Sequence, residues 1–217
     1  MWSITNNQSL AILCGLLSLV ALYLGFLSFR LSQQIGLLKT QLQVAQADQQ
    51  LAFYDFLTGL LNRRGWDRAV RMLVPTGPQT LVMLDLDQFK QTNDRYGHRT
   101  GDRVLKEFAD RLRIGFETSG SVLARVGGEE FAIVSAQPSE LLIESVELWL
   151  ETQRGSPFRD GLHSIVIRCS LGVAQRTEGE SIEDWQDRAD RALYEAKESG
   201  GNCVRLSSMP ISGKGSL

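Results

Sequence analysis

The sequence has almost no excess of either charge and very little cysteine. It contains 23 lysines and arginines and 25 aspartates and glutamates in 217 residues, so the formal net charge is -2. Such a chain lacks the basic surface that a nucleic-acid polymer requires, and a small or lipidic partner is expected instead. The three cysteines, Cys14, Cys169 and Cys203, form neither an even disulfide set nor a metal-ligand spacing, which favours a reducing compartment.

Internal repeats and low-complexity tracts are also absent, apart from a short Gly/Ser-rich tail within residues 207–217 that is expected to be flexible. Hydrophobic residues make up 43% of the chain. This fraction is enough for one globular domain with a substantial core and an additional segment, and it excludes a disordered chain.

A long apolar run occupies residues 10–29. It contains no charged residue and has about the length needed to cross a hydrocarbon core as a helix. A cleaved signal peptide is the alternative, but no basic residue precedes the run, and the first candidate cleavage site, residues 45–47, lies far beyond it. Because the nearest positive charges, Arg30 and Lys39, follow the run, we expect a single-pass protein of the inner (cytoplasmic) membrane. Residues 1–9 would lie outside, and the catalytic part would lie in the cytoplasm.

Residues 30–54 carry apolar side chains at alternating steps of four and three, as expected for a helix with one apolar seam. The seam consists of Leu31, Ile35, Leu38, Leu42, Ala45 and Ala52, and the polar Gln49 fills the remaining position. This pattern predicts a helical stalk that pairs with a second copy as a parallel coiled coil. The alternative is an amphipathic helix that packs on its own domain, because Gln49 and the alanines weaken the seam.

From residue 55 to about residue 206, short β-rich runs alternate with amphipathic stretches, which predicts one layered domain of the α/β (α+β) class. The predicted strands are Thr80–Asp87, Val122–Val126, Glu129–Val134, a segment from about Ser164 to Ala174, and a short strand near Val204. The predicted helices run from the Asn62 cap to Arg71, from about Thr100 to Ile114, from Pro138 onward, and from Ile182 to Ser199. The core order is therefore β-α-β-β-α-β with additions.

Acidic residues gather at the end of the first predicted strand. Asp85 and Asp87 are two residues apart, so both project from one face of the sheet. Glu129 follows Gly127-Gly128, which predicts a two-residue hairpin turn with positive φ angles that brings Glu129 beside the neighbouring strand end. Isolated acids at a strand end are commonly just solvated. Carboxylates from two strands, however, suit Mg²⁺, which also binds substrate phosphates, so a magnesium site for phosphoryl transfer is expected.

The segment that begins with these acids reads DLDQFKQTNDRYGHRTGD. Lys90 offers a point charge to phosphate, and Asn93 and Asp102 together supply the donor and acceptor groups that a guanine edge requires. Gly97 and Gly101 allow a tight path between the two. Taken singly, Asn93 is typical of a turn and Asp102 of the first turn of a helix.

Two neighbouring polar residues complete the candidate set. His98 lies between Asn93 and Asp102, where a single histidine is more often packed or hydrogen-bonded than functional. Glu130 follows Glu129 and is expected on the opposite face of the sheet, because side chains alternate along a strand.

Five segments together resemble the successive signatures of GGDEF domains. They are DFLTGLLNRR (55–64), DLDQFKQTNDRYGHRTGD (85–102), RVGGEEF (125–131), SLGVA (170–174) and ADRALYEAK (189–197), in this order and with ordinary spacing. The resemblance extends from residue 55 to about residue 204. It implies a nucleotidyl-cyclase-like palm domain, in which helices flank a central, mostly antiparallel sheet. It also implies the activity of a diguanylate cyclase, which joins two GTP molecules into cyclic di-GMP and releases two pyrophosphates.

The resemblance also implies a role for each candidate residue. Asp85, the backbone carbonyl of Leu86 and Glu129 bind Mg²⁺, for which Mn²⁺ is an alternative, and Glu129 is the base for the ribose 3′-hydroxyl. Asn93 and Asp102 would contact guanine, and His98 and Glu130 would lie in the substrate pocket. The catalytic Lys90 and Lys197 would contact phosphates. Catalysis requires a homodimer, because two GTP-loaded domains must face each other.

Two positions depart from the family pattern. Gly201 stands where the family usually has an arginine that contacts phosphate, which implies weaker substrate binding or slower turnover. The family's product-inhibition motif, an arginine followed three residues later by an aspartate, would fall on Thr118 and Ser121. Feedback inhibition through that motif is therefore not expected.

The sequence leaves functions from different classes open. The first is an active membrane-anchored cyclase, because every metal and guanine position carries a competent side chain. The second is a catalytically silent GTP-binding or dimerising module that regulates a partner protein, and Gly201 supports it. A pure membrane anchor or scaffold would leave the carboxylate cluster without a role.

Overall fold

A computed structural model of the chain describes residues 2–73, 78–117, 121–161 and 163–208. The chain divides into two compact units, residues 1–50 and residues 51–217. The first unit belongs to a helix, and the second contains the sheet and all the candidate site residues.

Helix α1 runs from Trp2 to Phe53. Every side chain between residues 14 and 46 is exposed, including the seam residues Leu31, Ile35, Leu38 and Leu42. Within it, Cys14–Gln46 is long and apolar enough to cross a membrane, and none of this segment is buried. A signal sequence near the N-terminus has the same properties, so the membrane anchor stays a prediction.

A five-stranded sheet forms the centre of the second unit. Its strands are β1 (Thr80–Asp87), β2 (Val122–Arg125), β3 (Glu130–Ser135), β6 (Arg168–Gln175) and β7 (Val204–Leu206), in the spatial order β2-β3-β1-β6-β7. All neighbours are antiparallel except β6 and β7, which are parallel. A separate hairpin pairs β4 (Phe158–Asp160) with β5 (His163–Ile165). The predicted mostly antiparallel sheet is thus confirmed.

Five helices accompany the sheet: α2 (Arg63–Arg71), α3 (Phe89–Tyr96), α4 (His98–Phe116), α5 (Ser139–Arg154) and α6 (Ile182–Glu198). The order β1, α3 and α4, β2, β3, α5, β6 confirms the predicted β-α-β-β-α-β core. Asn62 caps α2 as predicted, because its side-chain oxygen accepts the Gly65 N–H over 3.0 Å.

The two faces of β1 pack against different layers. Val82, Leu84 and Leu86 face a core that contains α4 and α5 side chains such as Phe108 and Trp149. Leu81 and Met83 face the opposite core, with Trp185 and Ala189 of α6. Because side chains alternate along a strand, Asp85 and Asp87 continue the α6 face of β1. The predicted shared face of these two acids is therefore confirmed.

Three elements differ from the sequence predictions. Helix α3 was not predicted, and its single buried side chain, Phe89, produces no helical periodicity. The strand expected over Ser164–Ala174 is interrupted, so that β5 ends at Ile165 and β6 begins at Arg168. The hairpin partner β4 was also missed, because three residues are too short for a recognisable alternating pattern.

Candidate active site

The end of β1 holds a buried acid next to a lysine. Asp85 is only 7% exposed, and its Oδ2 lies 2.8 Å from Nζ of Lys197, near the end of α6. Burial raises the pKa of the Asp85 carboxyl above its ordinary value, although the hydrogen bond and charge of Lys197 oppose the shift. A carboxylate in this position requires compensating positive charge.

Asp87 has a different environment although it lies on the same face. Its Oδ1 accepts the Ser170 hydroxyl over 2.7 Å, and its Oδ2 accepts the Asn202 N–H over 2.8 Å. The backbone of Gly201 approaches so closely that a Cβ atom there would lie 2.9 Å from Asp87 Oδ2, and Gly201 has a φ of +73°. Asp87 therefore holds the loop between α6 and β7, and glycine suits position 201 for two independent reasons.

The prediction of a two-residue turn at Gly127-Gly128 is wrong. Strand β2 ends at Arg125, β3 begins at Glu130, and the Val126 N–H donates to the Glu130 carbonyl over 2.9 Å, so residues 127–129 form the loop. Neither glycine has a positive φ. A glycine pair in a sequence does not specify the length of its turn, and here the cross-strand bond to Glu130 sets a longer loop than the predicted one.

Glu129 lies in this loop rather than at the start of β3. Its carbonyl accepts the Leu86 N–H over 3.2 Å, which brings the loop backbone to the end of β1 beside Asp85. The pKa of Glu129 is raised by burial and by the negative charge of Asp85. The structure thus brings the two predicted metal-binding acids together.

Arg125, to which the sequence pattern assigned no role, holds the loop. The Arg125 guanidinium donates to the Gly128 carbonyl over 2.7 Å and to Asp55 Oδ1 over 3.0 Å. Burial opposes ionisation of Asp55, but hydrogen bonds from Thr58 and Arg125 lower its pKa overall. Asp55 follows the end of α1 almost directly, so the motif beginning DFLTG has a structural role in supporting the Glu129 loop.

Helices α3 and α4 carry the predicted substrate-binding residues. Lys90 and Asn93 lie on α3, and His98 and Asp102 lie near the start of α4. A Cβ atom at Gly101 would lie 1.9 Å from Asn93 Oδ1, so the Asn93 side chain packs directly over Gly101. Gly97 joins the two helices with a φ of +85°. Both predicted glycine roles are confirmed, and Asn93 is held next to the residue that precedes Asp102.

The β4–β5 hairpin supports the first turn of α4. The Thr100 hydroxyl donates to Asp160 Oδ2 over 2.6 Å, and Arg103 forms an ion pair with the other oxygen of Asp160. The N-terminus of α4 has no side-chain cap and no acidic residue in its first turn. Asp160 therefore supplies the negative charge that favours a helix N-terminus, next to the segment that carries Asp102.

The remaining predicted positions lie at the margins of this region. Glu130 pairs directly with Asp85 across β1 and β3 and is exposed, so it lies on the Asp85 face of the sheet. The expected alternation with Glu129 is wrong, because Glu129 belongs to the loop and β3 begins only at Glu130. Ser121 precedes β2, and Thr118 lies outside the described residues.

The site provides a pair of acids rather than a complete metal cage. In the part of the chain that the structure describes, no three His, Cys, Asp or Glu side chains are grouped to bind a metal ion by themselves. Mg²⁺ commonly uses one or two carboxylates, several waters and substrate phosphates. Two partly buried acids that repel each other fit such an ion.

Comparison with known proteins agrees with this geometry. Residues 52–203 match the family model described as diguanylate cyclase, GGDEF domain. The chain belongs to the GGDEF family. It is 36% identical over 169 residues to the diguanylate cyclase DgcS of Shewanella oneidensis, which covers 74% of this chain and 55% of DgcS. It is 40% identical over 176 residues to the diguanylate cyclase VdcA of Vibrio cholerae, which covers 79% of this chain and 51% of VdcA.

The fold of this GGDEF protein is also found in solved structures. The coiled coil and GGDEF domain of DgcB from Caulobacter crescentus, crystallised with c-di-GMP, superposes with a TM-score of 0.77 at 27% identity and covers 83% of this chain and 99% of that structure. The chain spans about half the length of the curated relatives DgcS and VdcA. Family and fold are therefore shown, and cyclic di-GMP synthesis is the activity of the family.

Proposed function

We propose that the chain is a diguanylate cyclase that condenses two GTP molecules into cyclic di-GMP with release of two pyrophosphates. The observation that carries this proposal is the junction of two strands at which Leu86 bonds to the Glu129 backbone and the acids Asp85 and Glu129 lie together. The Lys197 ammonium beside Asp85 supports it, because a nucleotide triphosphate needs positive charge at the same place.

Mg²⁺, or Mn²⁺ in its place, would be held by Asp85, the Leu86 carbonyl and Glu129. When bound, such an ion would neutralise the charge that develops during phosphoryl transfer. Desolvation of both carboxyls, together with their mutual repulsion, favours a cation at this position.

Glu129 is the proposed base for the ribose 3′-hydroxyl. Its carboxylate accepts the hydroxyl proton as the 3′-oxygen forms a bond to the α-phosphorus of the other nucleotide. The bond from that phosphorus to the pyrophosphate oxygen breaks, and pyrophosphate leaves with the electron pair. A second transfer of the same kind closes the ring.

Guanine recognition is assigned to the α3–α4 pair. Asn93 and Asp102 would offer an amide and a carboxylate to the base edge, and His98 would line the same pocket. Gly101 restrains the Asn93 side chain. Lys90 and Lys197 are assigned to phosphates, and Glu130 to the rim of the substrate site.

The proposed organisation consists of a short N-terminal segment (1–9), a transmembrane helix (10–29), a helical stalk (30–54), the GGDEF domain (55–206) and a tail (207–217). The protein would act as a homodimer at the inner membrane with its catalytic domain in the cytoplasm. The exposed seam of α1 supports a stalk that pairs with a second copy, and the similar DgcB structure is named as containing a coiled coil.

A silent GTP-binding module is the second candidate, and the geometry of Gly201 favours it. Position 201 carries no side chain, and Asp87 occupies the space that a Cβ atom would enter. The loop therefore contributes no cation to a bound triphosphate.

An assay of GTP turnover by the full chain in lipid nanodiscs, with Mg²⁺, distinguishes the cyclase from the silent GTP-binding module. We expect cyclic di-GMP by mass spectrometry from the wild type. Glu129→Gln removes the base and a metal ligand without changing side-chain size, so product should fall by at least about a thousandfold while the fold remains intact by circular dichroism. A wild type that binds GTP and makes no product would establish the silent module instead, and full activity of Glu129→Gln would refute its role.

A further inference from the structure

Arg168 lies at the same edge of the sheet as the candidate active site. It is the first residue of β6 and pairs directly with Asp87 of β1 in the antiparallel register. The next residue, Cys169, belongs to the core on the α4 side, whereas Ser170 bonds to Asp87. Because side chains alternate along a strand, Arg168 projects from the α6 face, as do Asp87 and Asp85.

Arg168 is a cation without a partner in the described part of the chain. Its side chain is exposed, and none of the described hydrogen bonds or ion pairs includes it. An arginine directly opposite an aspartate ordinarily forms a cross-strand ion pair. Here both oxygens of Asp87 are already engaged, one by the Ser170 hydroxyl and the other by the Asn202 N–H. The guanidinium is therefore available to a ligand.

The charges at this edge of the sheet favour a role for an unpaired cation in binding a nucleotide triphosphate. Asp85, Asp87, Glu129 and Glu130 contribute negative charge around the end of β1, and the ammonium of Lys197 is paired with Asp85. Lys90 on α3 and a bound divalent ion would offset part of this negative charge, and a nucleotide triphosphate gains from any further positive charge that faces it. The adjacent loop offers none at Gly201, where the close approach to Asp87 leaves no room for a Cβ atom.

We propose that Arg168 binds the β- and γ-phosphates of GTP. A guanidinium is always charged and presents parallel N–H donors that match two phosphate oxygens, so it holds a terminal phosphate better than a point charge does. The assignment rests on the proposed function and adds to that site a phosphate-binding residue on β6.

Binding measurements on the full chain in lipid nanodiscs test this role without requiring turnover. The affinities for GTP and for GMP, each with Ca²⁺ to prevent reaction, are compared among wild type, Arg168→Gln, Arg168→Lys and Lys106→Gln. Lys106 is an exposed cation on α4, on the other side of the sheet, and serves as the matched control. We expect Arg168→Gln to weaken GTP binding about tenfold or more, and GMP binding less than about twofold. Arg168→Lys should recover part of the loss, and Lys106→Gln should show none.

Equal weakening of GTP and GMP by Arg168→Gln would overturn the proposal, and so would a loss no greater than that of Lys106→Gln. An altered oligomeric state with an unchanged ratio of GTP to GMP affinity would equally overturn it and would assign Arg168 to a subunit contact. The proposed cyclase activity is tested separately, by product formation from the wild type. The role of Arg168 is tested by the ratio of GTP to GMP affinity, which requires binding alone.

Discussion

Asp85 and Asp87 lie on one face of one strand, yet their neighbours give them different roles. Asp85 is buried beside a single lysine and close to a second acid, so its ionised form is costly in the absence of a further cation. Asp87 accepts two hydrogen bonds that connect β1 with β6 and with the loop before β7. One acid is therefore suited to a ligand, and the other stabilises the fold.

This difference predicts that alanine substitution of the two acids has different effects on stability and on ligand binding. Asp87→Ala removes the acceptor of the Ser170 hydroxyl and the shorter of the two hydrogen bonds from the Asn202 N–H, which also donates to Ser170 Oγ over 3.1 Å. It should lower the free energy of unfolding by about 1–3 kcal/mol. Asp85→Ala removes a carboxylate whose charge is disfavoured by burial, so it should change the free energy by less than about 1 kcal/mol, and it should abolish stabilisation by Mg²⁺ with GTP. Thermal denaturation with and without these ligands measures both effects. A larger loss of stability for Asp85→Ala than for Asp87→Ala would contradict the assignment.

Gly101 provides a second test at the scale of a residue. Gly101→Ala introduces a Cβ atom 1.9 Å from Asn93 Oδ1, so the amide must move away from its present position. We expect the KM for GTP to rise about tenfold and discrimination against ATP to fall, because the base contact is lost. Gly155→Ala at the end of α5 is the control, since the nearest atom to its Cβ would lie at 3.8 Å. An unchanged preference for GTP over ATP in Gly101→Ala would remove Asn93 from guanine recognition.

Helix α6 positions Lys197 beside Asp85 in the candidate active site. Its start is held by a buried ion pair in which Arg188 donates to both oxygens of Glu180 over 2.6 and 2.7 Å. The Thr177 N–H also donates to Glu180, over 2.9 Å. Gly172 of β6 allows close contact with the helix backbone, because a Cβ atom there would lie 2.1 Å from the Leu193 nitrogen. Helix α6 therefore packs in direct contact with β6.

Loss of this ion pair should destabilise the domain in a pH-dependent way. Glu180→Gln leaves the buried Arg188 uncompensated and should lower the free energy of unfolding by about 3 kcal/mol. Glu183→Gln, in the exposed pair with Arg71, should cost less than about 1 kcal/mol.

The pH dependence of the Glu180 effect has a definite sign. Burial raises the pKa of Glu180, but hydrogen bonds from Arg188 and Thr177 outweigh it and lower the pKa from its ordinary value of 4.5. The stabilisation by this group is therefore complete above that value and is lost as the pH falls through the lowered folded-state pKa. Urea denaturation of wild type and Glu180→Gln from about pH 7 to about pH 3 should show the difference shrinking. A constant difference would contradict the ion pair as its cause.

For the whole molecule, the proposed reaction would require two nucleotide-loaded domains that meet. Each chain provides one pair of candidate metal-binding acids, and the proposed product joins two nucleotides, so a single chain would be insufficient. Nanodiscs that hold one chain should be inactive, and discs that hold two should make cyclic di-GMP. A mixed disc with one wild-type and one Glu129→Gln chain should have strongly reduced activity. Equal activity per chain in one-chain and two-chain discs would disprove the requirement for a dimer.

The sequence alone determined the order of the main elements, because β1, α2, α5 and α6 combine clear periodicity with recognisable caps or breaks. It also determined that Asp85 and Asp87 share a face, since that follows from strand alternation alone. Only the tertiary structure decided that Asp87 serves the Asn202 loop, that residues 127–129 form the hairpin loop, and that Arg168 stands opposite Asp87. These features depend on pairing between strands far apart in the chain. Local propensity carries no information about such register, because it is set by packing of the whole sheet.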